Sequence, residues 1–555
     1  MRLSAKNVFA SCLLMFIPLI SFAFQSGDTT GWNYVPTILQ SVVPPKFSDK
    51  DFLITSFGAI GDGTTDCTQA FVKAIDSCNN AGGGRVVVSA GTYLTGAIHL
   101  KSNVNLFVDS AAIIKFSTDT AKYMPVVYTR FESVECMNFS PLIYAFEQTN
   151  IAVTGKGTLD GQATSSNWWA WKNSSAADTT ILNTMVANGI AVEQRIFGSG
   201  HHLRPNFFQP YRCTNVLVQD VTFKDSPMWG VNPVLCQNVS ILNVYVTTNS
   251  GDTRPNTDGC DPECCTNVLI KGCSFSNGDD CIAIKSGRNA DGRRVNVPCS
   301  NVVIQNCKMQ DGHGGITIGS ETSGSIYNIY AENDTLNSNN LQYALRFKTN
   351  SLRGGTIEDI YERNIAVLKV ANYIIYIDCK YGGETGSYTP IVRNIYFDSV
   401  VCTQAPKAIY MRGLPESPIS NIILSNCIFT NITSTVNTIT DVTGLQYNNV
   451  SLNGMILTNV VNNQTDIPVQ FLMQQNYPNP FNPSTTLKYN IAQRSFVRIG
   501  VYNMLGQEIK VLVHEEKLPG KYAVEFNGNN LSSGVYFCRM QAGNYSAIQK
   551  FVLTK

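Results

Sequence analysis

Charge is scarce in this chain. Charged residues make up 15% of 555 positions, against roughly 25% in an average soluble protein. With 44% hydrophobic residues, that balance excludes bulk disorder and long charged coiled coils. Neither sign dominates: 41 basic residues face 40 acidic ones, so no overall field draws the chain to nucleic acid or to an anionic membrane. Histidine is rarer still, five in all. No CxxC pair or short Cys and His spacing occurs, which argues against a zinc site. Long apolar runs are also missing, except at residues 8–20, which fall short of the ~20 residues of a membrane span. That run follows Arg2 and Lys6 and precedes the small residues Ser21 and Ala23. The pattern is that of a secretory signal peptide over residues 1–23, the alternative being a retained anchor. Sixteen further cysteines would then sit where disulfides are allowed.

What the chain has in abundance is a repeated phrase. An Asn is followed by a β-branched residue, any residue and an apolar one, with Asn, Asp, Gly or Ser five places after the first. The phrase starts at Asn215, Asn238, Asn267, Asn301, Asn328, Asp359, Asn394, Asn421 and Asn449, in steps of 23 to 35 residues. Its second positions are Asp220, Asn243, Gly272, Asn306, Asn333, Asn364, Ser399, Asn426 and Gly454. A period in this range with short β segments signals a solenoid. Each phrase reads as strand, tight turn, strand, with Asn and Gly at the turn because they tolerate the left-handed backbone region. Equivalent positions then stack on adjacent parallel strands ~4.8 Å apart. We expect an all-β chain: a right-handed parallel β-helix over residues 24–465, then a linker and small β-sandwich over 466–555.

Cys213, Cys236, Cys265 and Cys299 each precede the Asn by two places, and Cys273, Cys307 and Cys427 follow it by six. Columns of small apolar side chains inside the coil and disulfides between neighbouring coils both fit. The segment from Thr65 to Cys78 has apolar residues at helical spacing and can cap the open end of the core. Residues 162–200 break the rhythm and carry Trp168, Trp169 and Trp171, which predicts a long loop over one face. Short alternating strands after Gln475, with Gly and Pro turns, predict the sandwich.

The repeat also places polar residues relative to one another. Asp279 lies twelve after Asn267 and His313 twelve after Asn301, so the two should be stacked neighbours. The strands that follow read Cys281-Ile-Ala-Ile-Lys, Gly315-Ile-Thr-Ile-Gly and Ala344-Leu-Arg-Phe-Lys. Alternation turns Ile282, Ile284, Ile316, Ile318, Leu345 and Phe347 inward, and Ala283, Thr317, Gly319, Arg346 and Lys348 outward. The expected result is a floor of small residues with two cations on one flank and Asp279, Asp280 and His313 at the strand ends. Asp258, one coil earlier, completes a three-carboxylate cluster. Mutual repulsion must raise at least one carboxyl pKa, and an acid kept protonated near neutral pH can donate its proton. Such a shallow cleft suits a polymer. Turn residues or a calcium site are the alternatives, the nearby cations and imidazole opposing the ion.

Four motifs carry a resemblance: Asn256-Thr-Asp258, Gly278-Asp-Asp280, Gly312-His-Gly314 and Arg346-Phe-Lys348. Together, and in this order, they resemble the polygalacturonases of glycoside hydrolase family 28, across roughly residues 50–460. The resemblance implies a pectin-lyase-like solenoid and an inverting hydrolase of α-1,4-linked galacturonic acid in pectin, without a cofactor or metal. It implies Asp279 as general acid and Asp258 with Asp280 as the pair that activates water. His313 would support the ionisation of the acid, and Arg346 and Lys348 would bind the galacturonate carboxylate, a task for which Arg is apt. Asn256 and Tyr381 match substrate contacts. Asn232 departs, since related exo-acting and rhamnogalacturonan-active enzymes often carry His there. Long loops at one end of the cleft would favour exo over endo action. A rhamnogalacturonan hydrolase, a calcium-dependent pectate lyase and a non-catalytic polysaccharide-binding β-helix are the other readings. The tail resembles the sorting domain of the type IX secretion system, in Ser533-Gly-Val-Tyr-Phe537 and Lys550-Phe-Val-Leu553. That implies a secreted or cell-surface protein, expected to be a monomer, with pectic polysaccharide and the secretion machinery as partners and no nucleic acid. A polysaccharide-binding or spacer domain is the alternative for the tail.

Overall fold

The computed structural model describes residues 31–249, 254–458 and 470–555. The leader read at 1–23 and the domain boundary at 465 lie outside the described residues. From Asp51 to Leu452 the chain winds as a parallel β-helix, every coil pairing in parallel with the next. Strands such as Thr214–Gln219, Gln237–Leu242, Thr266–Lys271 and Cys299–Gln305 follow one another in register along one wall.

Asn residues hold that register at the turns. Asn150, Asn215, Asn238, Asn267, Asn301 and Asn328 each donate Nδ2 to Oδ1 of the Asn one coil earlier, at 2.9 to 3.2 Å, starting from Asn103. All have positive φ, 57° at Asn215 for example, where an L residue is strained and Asn least so. The ladder therefore starts two coils before the repeat visible in the sequence. Its last rung is also shifted. Asn421 lies opposite Gly444, and Asn449 instead donates to Asn426 at 3.0 Å, so Asn449 belongs to the second column. Gly444 (φ 64°) fills the first column without a side-chain amide, which hides it from the Asn pattern.

Inside the coils the cysteines are packing units. The sixteen described are buried and unpaired, and the Cys213 and Cys236 amides each point at the Sγ of the next cysteine in the column, at 3.4 Å. The end of the core is closed by the helix Thr68–Asn80, which turns Ala70, Phe71, Ala74, Ile75 and Cys78 inward, as its helical spacing predicts. Residues 162–200 are not a loop. Trp168–Ala170 form a short 3-10 turn that runs into an α-helix at Trp171–Ala187; its apolar residues scatter round the axis, so it shows no clear helical stripe in sequence. The tail is a separate antiparallel sandwich of a three-stranded and a four-stranded sheet around Leu487, Tyr489, Ile499, Cys538, Met540 and Phe551.

Two acids lie where the core should be apolar. Asp334 is fully buried and accepts the Cys307 amide at 2.7 Å. Glu362 is 1% exposed, with both oxygens unpartnered. Burial pushes Asp334 up to about 8, and burial plus the Asp334 charge push Glu362 up as well. A carboxyl raised on folding gives stability that is complete below its unfolded pKa near 4 and is lost as pH climbs through the folded value. Melting points should therefore fall between pH 5 and pH 9. Glu362→Gln should shrink that fall by about 3 °C; an identical pH dependence in the variant would refute the assignment.

Candidate active site

The sheet that carries the site is parallel throughout. Its continuous part runs through Ile282–Ile284, Gly312–Gly319, Leu341–Lys348, Tyr373–Asp378 and Ala405–Arg412. Single bridges through Val231 and Cys260 link it to Phe208–Tyr211, Ile143–Phe146 and Ile98–His99 on the N-terminal side. The register Ile282, Ile316, Leu345 places these side chains in the core and Thr317 beside Arg346, as alternation predicts. Ala283 and Thr317 are fully buried, so the small floor lies beneath a charged layer rather than open to water.

Asp279 and His313 are stacked as expected. The His313 amide donates to the Asp279 carbonyl at 3.0 Å, and Nδ1 lies 2.9 Å from Asp279 Oδ1. Asp258, Asp279 and Asp280 each offer an oxygen within 4.8 Å of the other two. The glycines of the motifs make room for this crowding. A Cβ on Gly314 would lie 2.3 Å from Thr317 Oγ1 and 2.7 Å from Asp280 Oδ1. A Cβ on Gly278 would lie 2.4 Å from the Arg254 carbonyl.

Charge is unequal across the three carboxyls. Arg346 donates to Asp280 Oδ1 at 3.0 Å and Lys348 to Oδ2 at 2.5 Å. Burial alone would raise Asp280, but Lys348 and Arg346 outweigh it and hold the group well below the usual carboxylate range. Burial also works against ionised Asp279, and the His313 hydrogen bond reverses the balance. That same bond raises His313, so the imidazole carries its proton more readily than usual. Asp258 has weaker help: burial, then repulsion from Asp279, outweigh the Lys285 ammonium and push it up to about 8. Of the three, the carboxyl that is raised, as the sequence requires of at least one, is thus Asp258. The reason is local, since Asp279 has an imidazole and Asp280 two cations, while the Oδ1 of Asp258 has no partner.

Four residues of this layer escaped the sequence reading. Lys285, 3% exposed, sits 3.5 Å from Asp258, 3.8 Å from Asp261 and 3.2 Å from Glu321. It was findable, being two places past outward-facing Ala283. Asp261 is fully buried with neither oxygen hydrogen-bonded. Arg204 comes from an irregular stretch without periodicity; it donates to the Pro227 and Pro255 carbonyls and, at 2.7 Å, to Asn256 Oδ1. Asn256 is therefore engaged by Arg204. The Tyr381 ring stands 5.6 Å from Arg346 and 5.4 Å from Lys348, on the cation side. A metal would have to compete here with Arg346, Lys348 and Lys285, which already supply positive charge to Asp258 and Asp280.

One end of the cleft is walled. On the outer face of the sheet before Asp258, Gln209 and Asn232 are fully buried. Asn232 accepts from Asn206 and Gln209 at 3.0 and 2.8 Å and donates to the Asp261 carbonyl at 2.8 Å. It lines no open subsite. Above it pack Phe131, Val134, Leu182, Phe197, Met228 and Trp229, from the hairpin Val127–Asn138, the helix Trp171–Ala187 and the turns between coils. Glu132 at the hairpin tip is held by Arg288 at 2.6 Å and Lys172 at 3.7 Å.

Clustered carboxyls with an imidazole partner, on the outer face of a parallel β-helix, suit acid–base cleavage of a glycosidic bond. The comparisons with known proteins agree. The chain belongs to the glycosyl hydrolases family 28, whose model matches residues 78–452, and it is a polygalacturonase-type glycoside hydrolase. Residues 475–554 match the secretion system C-terminal sorting domain, so the tail directs export, to the cell surface or beyond. Over 76% of this chain and 96% of the other, the fold matches a hyperthermoactive exopolygalacturonase from Thermotoga maritima, with TM-score 0.73 and 40% identity. A probable polygalacturonase of Vitis vinifera is 28% identical over 67% of this chain and 73% of its own length. An exo-poly-alpha-D-galacturonosidase of Dickeya chrysanthemi is 27% identical over 78% and 75%.

The crowding at Gly314 is directly testable. Gly314→Ala should cost at least ~100-fold in kcat by displacing Asp280 and Arg346, while the melting point moves by only a few degrees. Near-normal kcat would show that the carboxylate packing is not needed.

Proposed function

We propose that the enzyme hydrolyses α-1,4-linked galacturonic acid in pectic galacturonan, with inversion, and removes units from chain ends. The observation that carries the exo reading is the wall beside Asp258: a polymer can extend across the sheet in one direction only. The names of two relatives, an exopolygalacturonase and an exo-galacturonosidase, support it, and export suits a substrate too large to enter a cell.

In this reading Asp279 protonates the glycosidic oxygen, being the one member of the trio with appreciable exposure, 17% at its side chain. Asp258 and Asp280 orient and deprotonate water from below. The trio titrates as a unit: moving its proton from Asp258 to Asp279 yields the reactive form without changing the total charge. His313 then stabilises Asp279 as it loses the proton. Arg346 and Lys348 take the galacturonate carboxylate. Each has donors to spare after Asp280, including an unpartnered Nε on Arg346. The nearest oxygens of the trio, within 4.8 Å of one another, approach more closely than the ~6.5–9.5 Å usual between acid and base carboxyls of inverting enzymes. The close Asp258 and Asp280 pair, lying on one side of the bond, would hold the water.

Product analysis on polygalacturonic acid with chelator present tests this. Monogalacturonate should appear from the first time points and be released as the β-anomer by proton NMR. Asp279→Asn should lose ~1,000-fold or more in kcat. An oligomer ladder would make the enzyme endo-acting, an α-anomer would refute inversion, and an unsaturated, calcium-requiring product would make it a lyase. kcat/KM should also decline as pH rises through about 8, where the shared proton leaves; a profile flat to pH 10 would remove Asp258 as its holder.

A further inference from the structure

Beyond Lys348 the catalytic sheet continues for three more coils, and on the first two its outer face changes character. Tyr343, Tyr373, Tyr376 and Tyr410 gather there. The Tyr343 ring lies 4.6 Å from the Arg346 guanidinium and 4.6 Å from Tyr376, whose ring stacks 4.7 Å from Tyr410. Tyr373 packs against Tyr410 at 5.5 Å. Tyr343, then Tyr373 with Tyr376, then Tyr410 lie on three successive strands, each about one strand spacing further from the carboxylates.

Cations border this pad. Arg412 grips Asp378 through two bonds of 2.9 and 2.8 Å, and Asp378 also accepts the Tyr376 hydroxyl at 2.9 Å. Lys380 reaches Asp441 at 3.6 Å. Lys407 differs: its Nζ sits 5.0 Å from the Tyr373 ring and has no ion-pair partner among the described residues. The pad thus ends in an unneutralised positive charge, continuous with the cleft and on its open side.

We infer that the tyrosine pad and Lys407 form a distal subsite for the anionic polysaccharide, holding galacturonate units two or more beyond the bond being cut. This rests on the galacturonan reading above. The wall beside Asp258 leaves the uncleaved chain no other course along the sheet. Aromatic rings accept the apolar faces of sugars, and already stacked on one another they lose little freedom on binding. An ammonium at the far end meets a carboxylate repeated on every unit of the polymer. The competing account is that the tyrosines only brace neighbouring strands, as cross-strand pairs do; it explains the stacking but gives no role to Lys407.

The test compares kcat/KM on digalacturonate and hexagalacturonate for the full chain and its Lys407→Glu and Lys407→Arg variants. In the wild type the hexamer should be favoured, and salt should weaken that preference. Lys407→Glu should lower the hexamer-to-dimer ratio about five-fold, and Lys407→Arg should restore most of it. Unchanged ratios in Lys407→Glu, or equal losses on both lengths, would overturn the subsite. A wild type that cleaves galacturonates without preferring the hexamer would do the same while leaving the proposed function intact. A wild type that cleaves neither would fail the galacturonan reading itself.

Discussion

Parallel register between coils is the constraint on which everything else depends. A parallel strand pair fixes which residue stands beside which, and the turn asparagines enforce it from coil to coil through amide bonds that need left-handed backbone at each rung. Because equivalent positions recur about one strand spacing apart, groups more than sixty residues distant in sequence, such as Asp280 and Lys348, meet at 2.5 Å. A slip of one residue would turn Arg346 and Lys348 into the core and Phe347 out of it.

Packing so many charges outside a dry core sets the chemistry of the site. Asp258, Asp261, Asp279, Asp280 and Glu321 face Lys285, Arg346 and Lys348, with His313 alongside, almost all of them shielded from water. Asp258, Asp261 and Glu321 share the one ammonium of Lys285, so these three buried acids do not all ionise with equal ease. Lys285 holds Glu321 below its usual range against burial. Asp258 and Asp261 are the two that burial and their neighbours raise. The charge balance of the layer, with Lys285 shared among three acids, is therefore what raises these two carboxyls.

The sequence made the solenoid, its inward columns, the helical cap, the tail sandwich and the Asp279 and His313 contact legible, because each follows from a short period. What it hid has physical causes. Gly444 replaced an Asn in the ladder, so the last phrase was read one column out, at Asn449. The helix Trp171–Ala187 lacks an apolar stripe and passed for a loop. Arg204 arises from a stretch with no period at all. The proton on Asp258 depends on distances among five acids and three cations, which no spacing rule encodes. Motifs indicated which residues share the site; only the three-dimensional charge balance shows what state each is in.

The two flanks of the site finally bear on each other. The wall is apolar and pinned at Glu132 by Arg288 and Lys172, whereas the opposite flank is a tyrosine surface bordered by cations. In the exo reading the terminal unit lies against the wall and the rest of the polymer covers the only way out. The freed unit can then leave only after the shortened chain lifts off or slides back. A distal contact of moderate strength serves such a cycle better than a tight one, because binding that holds substrate and transition state equally adds nothing to turnover once the site is filled. That the pad ends in one unpaired lysine, with its other cations already engaged by Asp378 and Asp441, is consistent with a grip that must be released after every cut.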